Sequence, residues 1–148
     1  MDAQAMLAAL RAELAGVEAL LVILEREQQM LMTGSIATLP ELTTQKSTLV
    51  ADIDKQSQAR LVWFPVDAAA RQTLFLQQPT IATAWAALSE RANRAAALNQ
   101  SNGLLINQRL QHNREALHIL RGQETGQPTY GPDGQQQSLG SGRTLGSA

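Results

Sequence analysis

Leu7, Leu10, Leu14, Val17, Leu21, Leu24, Gln28 and Leu31 recur at alternating steps of three and four residues. A repeat averaging about 3.5 residues keeps one apolar seam turned toward a partner helix, so the stretch reads as coiled-coil helix rather than strand or loosely amphipathic surface helix. A single helix cannot bury such a seam, and the rest of the chain must supply its partners. The expectation is an all-α fold: an antiparallel helical bundle or coiled coil of three main helices. The first runs from about Ala3 to Thr33, with Gly34 as a left-handed stop. Residues 19–24 (ALLVIL) are apolar on every side, so this part is either sandwiched between two helices or an exposed apolar face.

A second helix starts at Pro40, whose fixed φ suits a first turn, and reaches about Trp63. Leu39, Leu42, Leu49 and Ile53 hold its seam, with Lys46 and Gln56 in register. It is the weakest of the three and is expected to fray after Ile53. The short connection from the first helix implies antiparallel packing. Phe64-Pro65 interrupts the chain, Asp67 is placed to cap a short helix over Ala68 to Phe75, and Gln78-Pro79 ends it. The third main helix then starts at Pro79 and passes through Ile81, Trp85, Leu88, Ala92, Ala95, Asn99 and Gly103. The two steps of four at Ala95–Asn99–Gly103 form a stutter that locally unwinds a left-handed supercoil. Asn102-Gly103 has helical flanks, so a continuous helix is expected there, with the glycine permitting close helix approach. The alternative is two helices meeting at Gly103.

Charge fits this arrangement. The first helix carries two basic against five acidic residues, a net of −3, while Arg91, Arg94, Arg109, Arg114 and Arg121 against Glu90 and Glu115 give the third +3. The two helices attract, although an exposed pair contributes only ~0–1 kcal/mol. An overall net charge of −1, with no aromatic residues among these arginines, argues against a nucleic-acid site. The chain has no cysteine and hence no disulfide framework or thiol chemistry. The start of the chain lacks a basic signal-peptide region, and no apolar run approaches the ~18 residues of a membrane span. A soluble cytoplasmic protein without membrane insertion is expected.

Catalysis needs converging polar groups, and none can be assembled here. His112 and His118 lie on different faces of the third helix. Glu115-x-x-His118 has the spacing of half a di-iron carboxylate site, but neither a second copy nor two further inward carboxylates is evident. No phosphate-cradling glycine loop is present. No enzyme activity, cofactor or metal is expected. From Gly122 the composition turns to Gly, Gln, Ser and Thr, so two parts are expected: a helical domain over 1–121 and a disordered tail over 122–148. The tail holds a turn at Gly131-Pro132-Asp133-Gly134, beside Tyr130, the chain's sole tyrosine.

Between Asn99 and Leu120 the third helix is apolar on more than one side. Gly103, Ile106, Leu110, Asn113, Leu117 and Leu120 continue the seam and are expected to pack on partner helices. Leu98, Leu104, Leu105 and Ile119 point elsewhere, at roughly 100° per residue, and form a surplus stripe suited to binding something outside the chain. Asn99, Asn102 and Asn113 lie on or beside the seam, either to set helix register or to recognise polar groups in an apolar groove.

Three features together resemble the FlgN family of flagellar type III export chaperones. They are the leucine-repeat helix ending in Gly34, the run Asn99-Gln100-Ser101-Asn102-Gly103-Leu104-Leu105-Ile106 with Arg109 and Ala116-Leu117 behind it, and the segment Tyr130-Gly131-Pro132-Asp133-Gly134. The resemblance implies a cytoplasmic, non-enzymatic chaperone. It would hold the C-terminal helical segments of the flagellar hook-associated junction proteins and deliver them to the cytoplasmic domain of the export gate (FlhA). It further implies that the C-terminal part of the chain binds the client. Leu98, Asn102, Leu104, Leu105, Arg109 and Ile119 are the candidate client-binding residues, and Tyr130 the candidate for docking to the gate. The rival reading is a structural coiled-coil module that forms a homodimer through its surplus stripe and has no client.

Overall fold

The computed structural model describes residues 1–126, with side chains through Gly122. The expected tail beyond them, including Tyr130 and the Gly-Pro-Asp-Gly turn, lies outside the described residues. Every regular element among those residues is a helix: α1 (Ala3–Thr33), α2 (Leu39–Arg60), α3 (Ala68–Gln77) and α4 (Pro79–Gly126). The boundaries follow local chemistry. Asp2 accepts from the Ala5 amide at 2.9 Å and closes the start of α1. At its end Gly34 takes φ 80° and donates to the Met30 carbonyl, a conformation that costs glycine nothing. Pro40 lies in the first turn of α2, and Asp67 caps α3 through the Ala70 amide at 2.8 Å. α4 runs through Gly103 without a break and stays helical to Gly126 rather than ending at Arg121.

Two compact units divide the chain, one of residues Met1–Leu105 and one beginning at Ile106. In the first, α1 and α2 are antiparallel: Glu13 pairs with Arg60 and Glu27 with Lys46. α4 runs parallel to α1, since Arg11 and Leu14 line a cleft with Thr83 and Ala84, whereas Glu25 bonds to Arg94 and Glu27 to Asn102. Leu10, Val17, Leu21 and Leu24 of α1 form the core with Phe64 and with Ile81, Ala84, Leu88 and Ala95 of α4. Each fully buried leucine contributes about 2 kcal/mol. An exposed pair such as Glu25–Arg94 contributes ~0–1 kcal/mol. Apolar seams, not surface charge, therefore hold the unit together.

The interruption at Phe64-Pro65 is an anchored corner. Phe64 is buried, with its ring 4.5 Å from Trp85 and 6.2 Å from Phe75 between centroids. Arg60 lies 4.9 Å from the Trp85 ring centre while its guanidinium donates to both Glu13 oxygens, at 2.8 and 3.2 Å. Arg71 donates to the carbonyls of Pro65 and Val66. These contacts hold the last turns of α2, so the helix continues to Arg60 instead of fraying after Ile53.

Glycine roles differ from expectation. A side chain at Gly103 would meet nothing within 4 Å, so Gly103 is not a point of close helix approach. The close approach is at Gly16, where an added Cβ would lie 3.1 Å from Ile53 Cγ1.

Candidate functional site

Near the end of the first unit, α1, α2 and α4 are joined by polar groups. Glu27 is 2% exposed and accepts from Lys46 Nζ at 3.0 and 3.1 Å and from Asn102 Nδ2 at 2.9 Å. Lys46 also donates to Asn99 Oδ1 at 3.0 Å, and Asn102 Nδ2 to the Leu24 carbonyl at 2.9 Å. Two acceptors facing one amide nitrogen fix the Asn102 orientation, because a flipped amide would set oxygen against oxygen. Asn102 Oδ1 is buried without a hydrogen-bond donor among the described residues. A buried carboxylate stripped of its cation is costly, so this cluster sets which helices meet and in which register.

Glu13 and Glu27 were not among the expected seam residues, yet both are buried. The signal was a second repeat. Glu13, Leu20 and Glu27 are spaced by seven, as are Lys46, Ile53 and Arg60. Laid antiparallel, these sets place an ion pair on either side of Leu20 and Ile53. Those two residues line a cavity of about 240 Å³ with Val17, Val50 and Ala92. Its polar lining residues, Lys46 and Asn99, are bonded to each other, so it offers no converging groups to orient a small molecule.

The second unit is different in kind. Leu110, Leu117, Ile119 and Leu120 are 48%, 54%, 60% and 56% exposed, although three of them belong to the seam expected to pack on partner helices. That expectation is corrected. The bonds between α1 and α4 join residues 69 to 78 apart in sequence, and α1 ends at Thr33. Within the first unit α1 covers the apolar repeat of α4, whereas the leucines of that repeat in the second unit are exposed among the described residues.

The six candidate client-binding residues fall into two groups. Leu98 is half-buried against the core, and Asn102 is fully buried in the polar cluster, where it acts in helix register. Leu104 and Ile119 are exposed, and Leu105 and Arg109 are half-buried. Sequence reasoning left out Leu110, Leu117 and Leu120 because their spacing matches that of buried seam residues. His112 and His118 are exposed, and Glu115 accepts from Gln111 at 3.2 Å. Among the described residues no three His, Cys, Asp or Glu side chains gather as a metal site would require, and no helix is long and apolar enough to cross a membrane.

Residues 1–138 match the family described as FlgN protein. The flagella synthesis protein FlgN of Proteus mirabilis is 37% identical over 127 residues, which cover 83% of this chain and 84% of that protein. A protein of the same description from Yersinia enterocolitica is 34% identical over 120 residues, 80% of each chain. One from Salmonella typhimurium is 33% identical over 116 residues, 76% of each. No solved structure matches the chain.

Proposed function

This chain belongs to the FlgN family, and on that premise we propose that it is an export chaperone of flagellum synthesis that holds hook-associated junction proteins by their C-terminal helical segments. The observation that carries this reading is the exposed apolar repeat of α4 from Leu110 to Leu120. An amphipathic helix laid along it would bury leucines that are exposed among the described residues, the usual basis of helix-in-groove recognition. Leu104, Leu105, Arg109 and Ile119 border this surface and join it in the proposal. Leu98 and Asn102 would reach a client only if the contact between α1 and α4 opened. Tyr130 is the proposed point of docking to the cytoplasmic domain of the export gate, a step that follows client capture.

Calorimetry with a junction-protein C-terminal segment tests the reading. Leu117→Asp, and separately Ile119→Asp, should leave the circular dichroism spectrum unchanged and weaken binding by ~2 kcal/mol or more, about thirtyfold. Tyr130→Ala should leave client affinity alone and weaken docking to the gate domain. A homodimer that dissociates with Leu117→Asp, in a chain that binds no client segment, would return it to the dimerisation-module reading.

A further inference from the structure

We infer that the end of the first unit around Glu27 and Asn102 is a latch: residues 92–105 of α4 lift away from α1 and α2 while the remainder of the unit stays folded, with Lys46 as the catch. The contact between α1 and α4 changes in kind along its length. At the other end Ile81, Ala84 and Leu88 of α4 are buried in the core with Leu10 and Phe64, and the Phe64 ring lies 4.5 Å from that of Trp85 between centroids. Beyond Leu88 the apolar content thins. Among the described residues of α2 and of α4 from 89 to 105, only Leu42, Ala95 and Asn102 are buried.

Three observations make this end the weaker one. The cavity of about 240 Å³ lies here, walled by Ala92, Ala95 and Ala96 of α4 and by Val50 and Ile53 of α2, so these two helices do not fill the space between them. Side chains that line a void forfeit the dispersion contacts a filled space would give them. Asn102 Oδ1 is buried with no donor among the described residues, and Glu27 is a buried carboxylate. Both regain water when α4 lifts, which offsets part of the loss of Leu24 and Ala95 from the core. Lys46 donates to Glu27 of α1 and to Asn99 of α4, and so ties α2 to both.

Setting register needs only the bond from Asn102 to Glu27. The void and the unmet acceptor add nothing to register, and they lower the cost of separation. Few buried apolar contacts are the mark of a segment that opens by itself. Opening exposes Leu24 and frees Leu98 and Asn102, the two candidate client-binding residues that the closed contact holds.

Hydrogen exchange of the full chain, read by mass spectrometry over a range of urea below the unfolding transition, tests this. After correction for intrinsic rates, amides at 92–105 should exchange about tenfold faster than those at 81–88. Their urea dependence should also be weaker, since a local opening exposes less surface than unfolding. Ile81→Val weakens the opposite end and should speed exchange at 81–88 about fivefold while leaving 92–105 unchanged. A cluster that only sets register makes both stretches move together. Lys46→Met strands Glu27 until α4 lifts and water reaches it, so exchange at 92–105 should rise about a hundredfold. Equal rates in the two stretches overturn the inference, as does faster exchange at 92–105 with Ile81→Val or unchanged exchange there with Lys46→Met. A junction-protein segment that binds while both stretches exchange alike removes the latch and leaves the client reading standing. Local exchange in a chain that binds no such segment upholds the latch and removes the client reading.

Discussion

Replacing Lys46 with Met keeps an unbranched side chain of similar length and removes the cation that faces Glu27. The Glu27 side chain is 2% exposed and that of Lys46 is 22%, so the pair is largely desolvated. Removing one partner of a buried ion pair costs about 3–5 kcal/mol, because the remaining charge stays out of water. Asn102 still donates one bond to Glu27, and water can reach the Lys46 end, so the lower value of about 3 kcal/mol is expected. For a chain of this length that is a fall in Tm of roughly 6–12 °C. The control is Arg94→Met, which removes an ion pair about half exposed on each side and should cost ~0–1 kcal/mol. Adding Glu27→Leu to Lys46→Met removes the stranded carboxylate and should recover at least half of the loss, a coupling that a double-mutant cycle measures directly. Urea denaturation followed by circular dichroism supplies the free energies of the wild type, Lys46→Met, Glu27→Leu, the double variant and the Arg94→Met control. A loss for Lys46→Met no larger than for Arg94→Met would refute the argument, as would a double variant less stable than Lys46→Met alone.

Gly16→Val should destabilise by about 1–3 kcal/mol in the same assay, since its Cβ would crowd Ile53 and drive α2 away from α1. Gly103→Ala should stabilise by up to ~1 kcal/mol, because the added methyl meets nothing and the helix gains a better former; a loss of stability would reveal a contact there. Leu21→Asp places a charge in the buried core and should cost several kcal/mol or unfold the chain, and an unchanged Tm would show that the core is misplaced.

Local spacing carried most of the architecture. The repeat from Leu7 to Leu31 and the stop at Gly34 delimit α1 at Ala3–Thr33, as the sequence implied, and the structure adds the cap at Asp2. Asp67, Gln78-Pro79 and the helical flanks of Gly103 likewise placed α3 and the continuous α4. Caps and periodicity are properties of a few neighbouring residues, so a single chain displays them. The family resemblance was legible for a similar reason, resting on short runs of residue identity.

Pairing between elements is different information. Glu13 and Glu27 look like ordinary surface carboxylates until α2 is laid antiparallel on α1 and brings Arg60 and Lys46 opposite them. Gly16 and Gly103 are both helical glycines, and only the approach of Ile53 separates a required one from a free one. The candidate surface shows the same division most clearly. Leu88 and Ala95 are buried and Leu110 and Leu117 are exposed, although all four continue one apolar repeat along α4. Residue spacing determined where a helix could be received. Only the tertiary structure decided which of those positions are covered: within the first unit α1 lies against Leu88 and Ala95, while Leu110 and Leu117 are exposed among the described residues, because burial depends on what lies opposite a residue rather than on the residue.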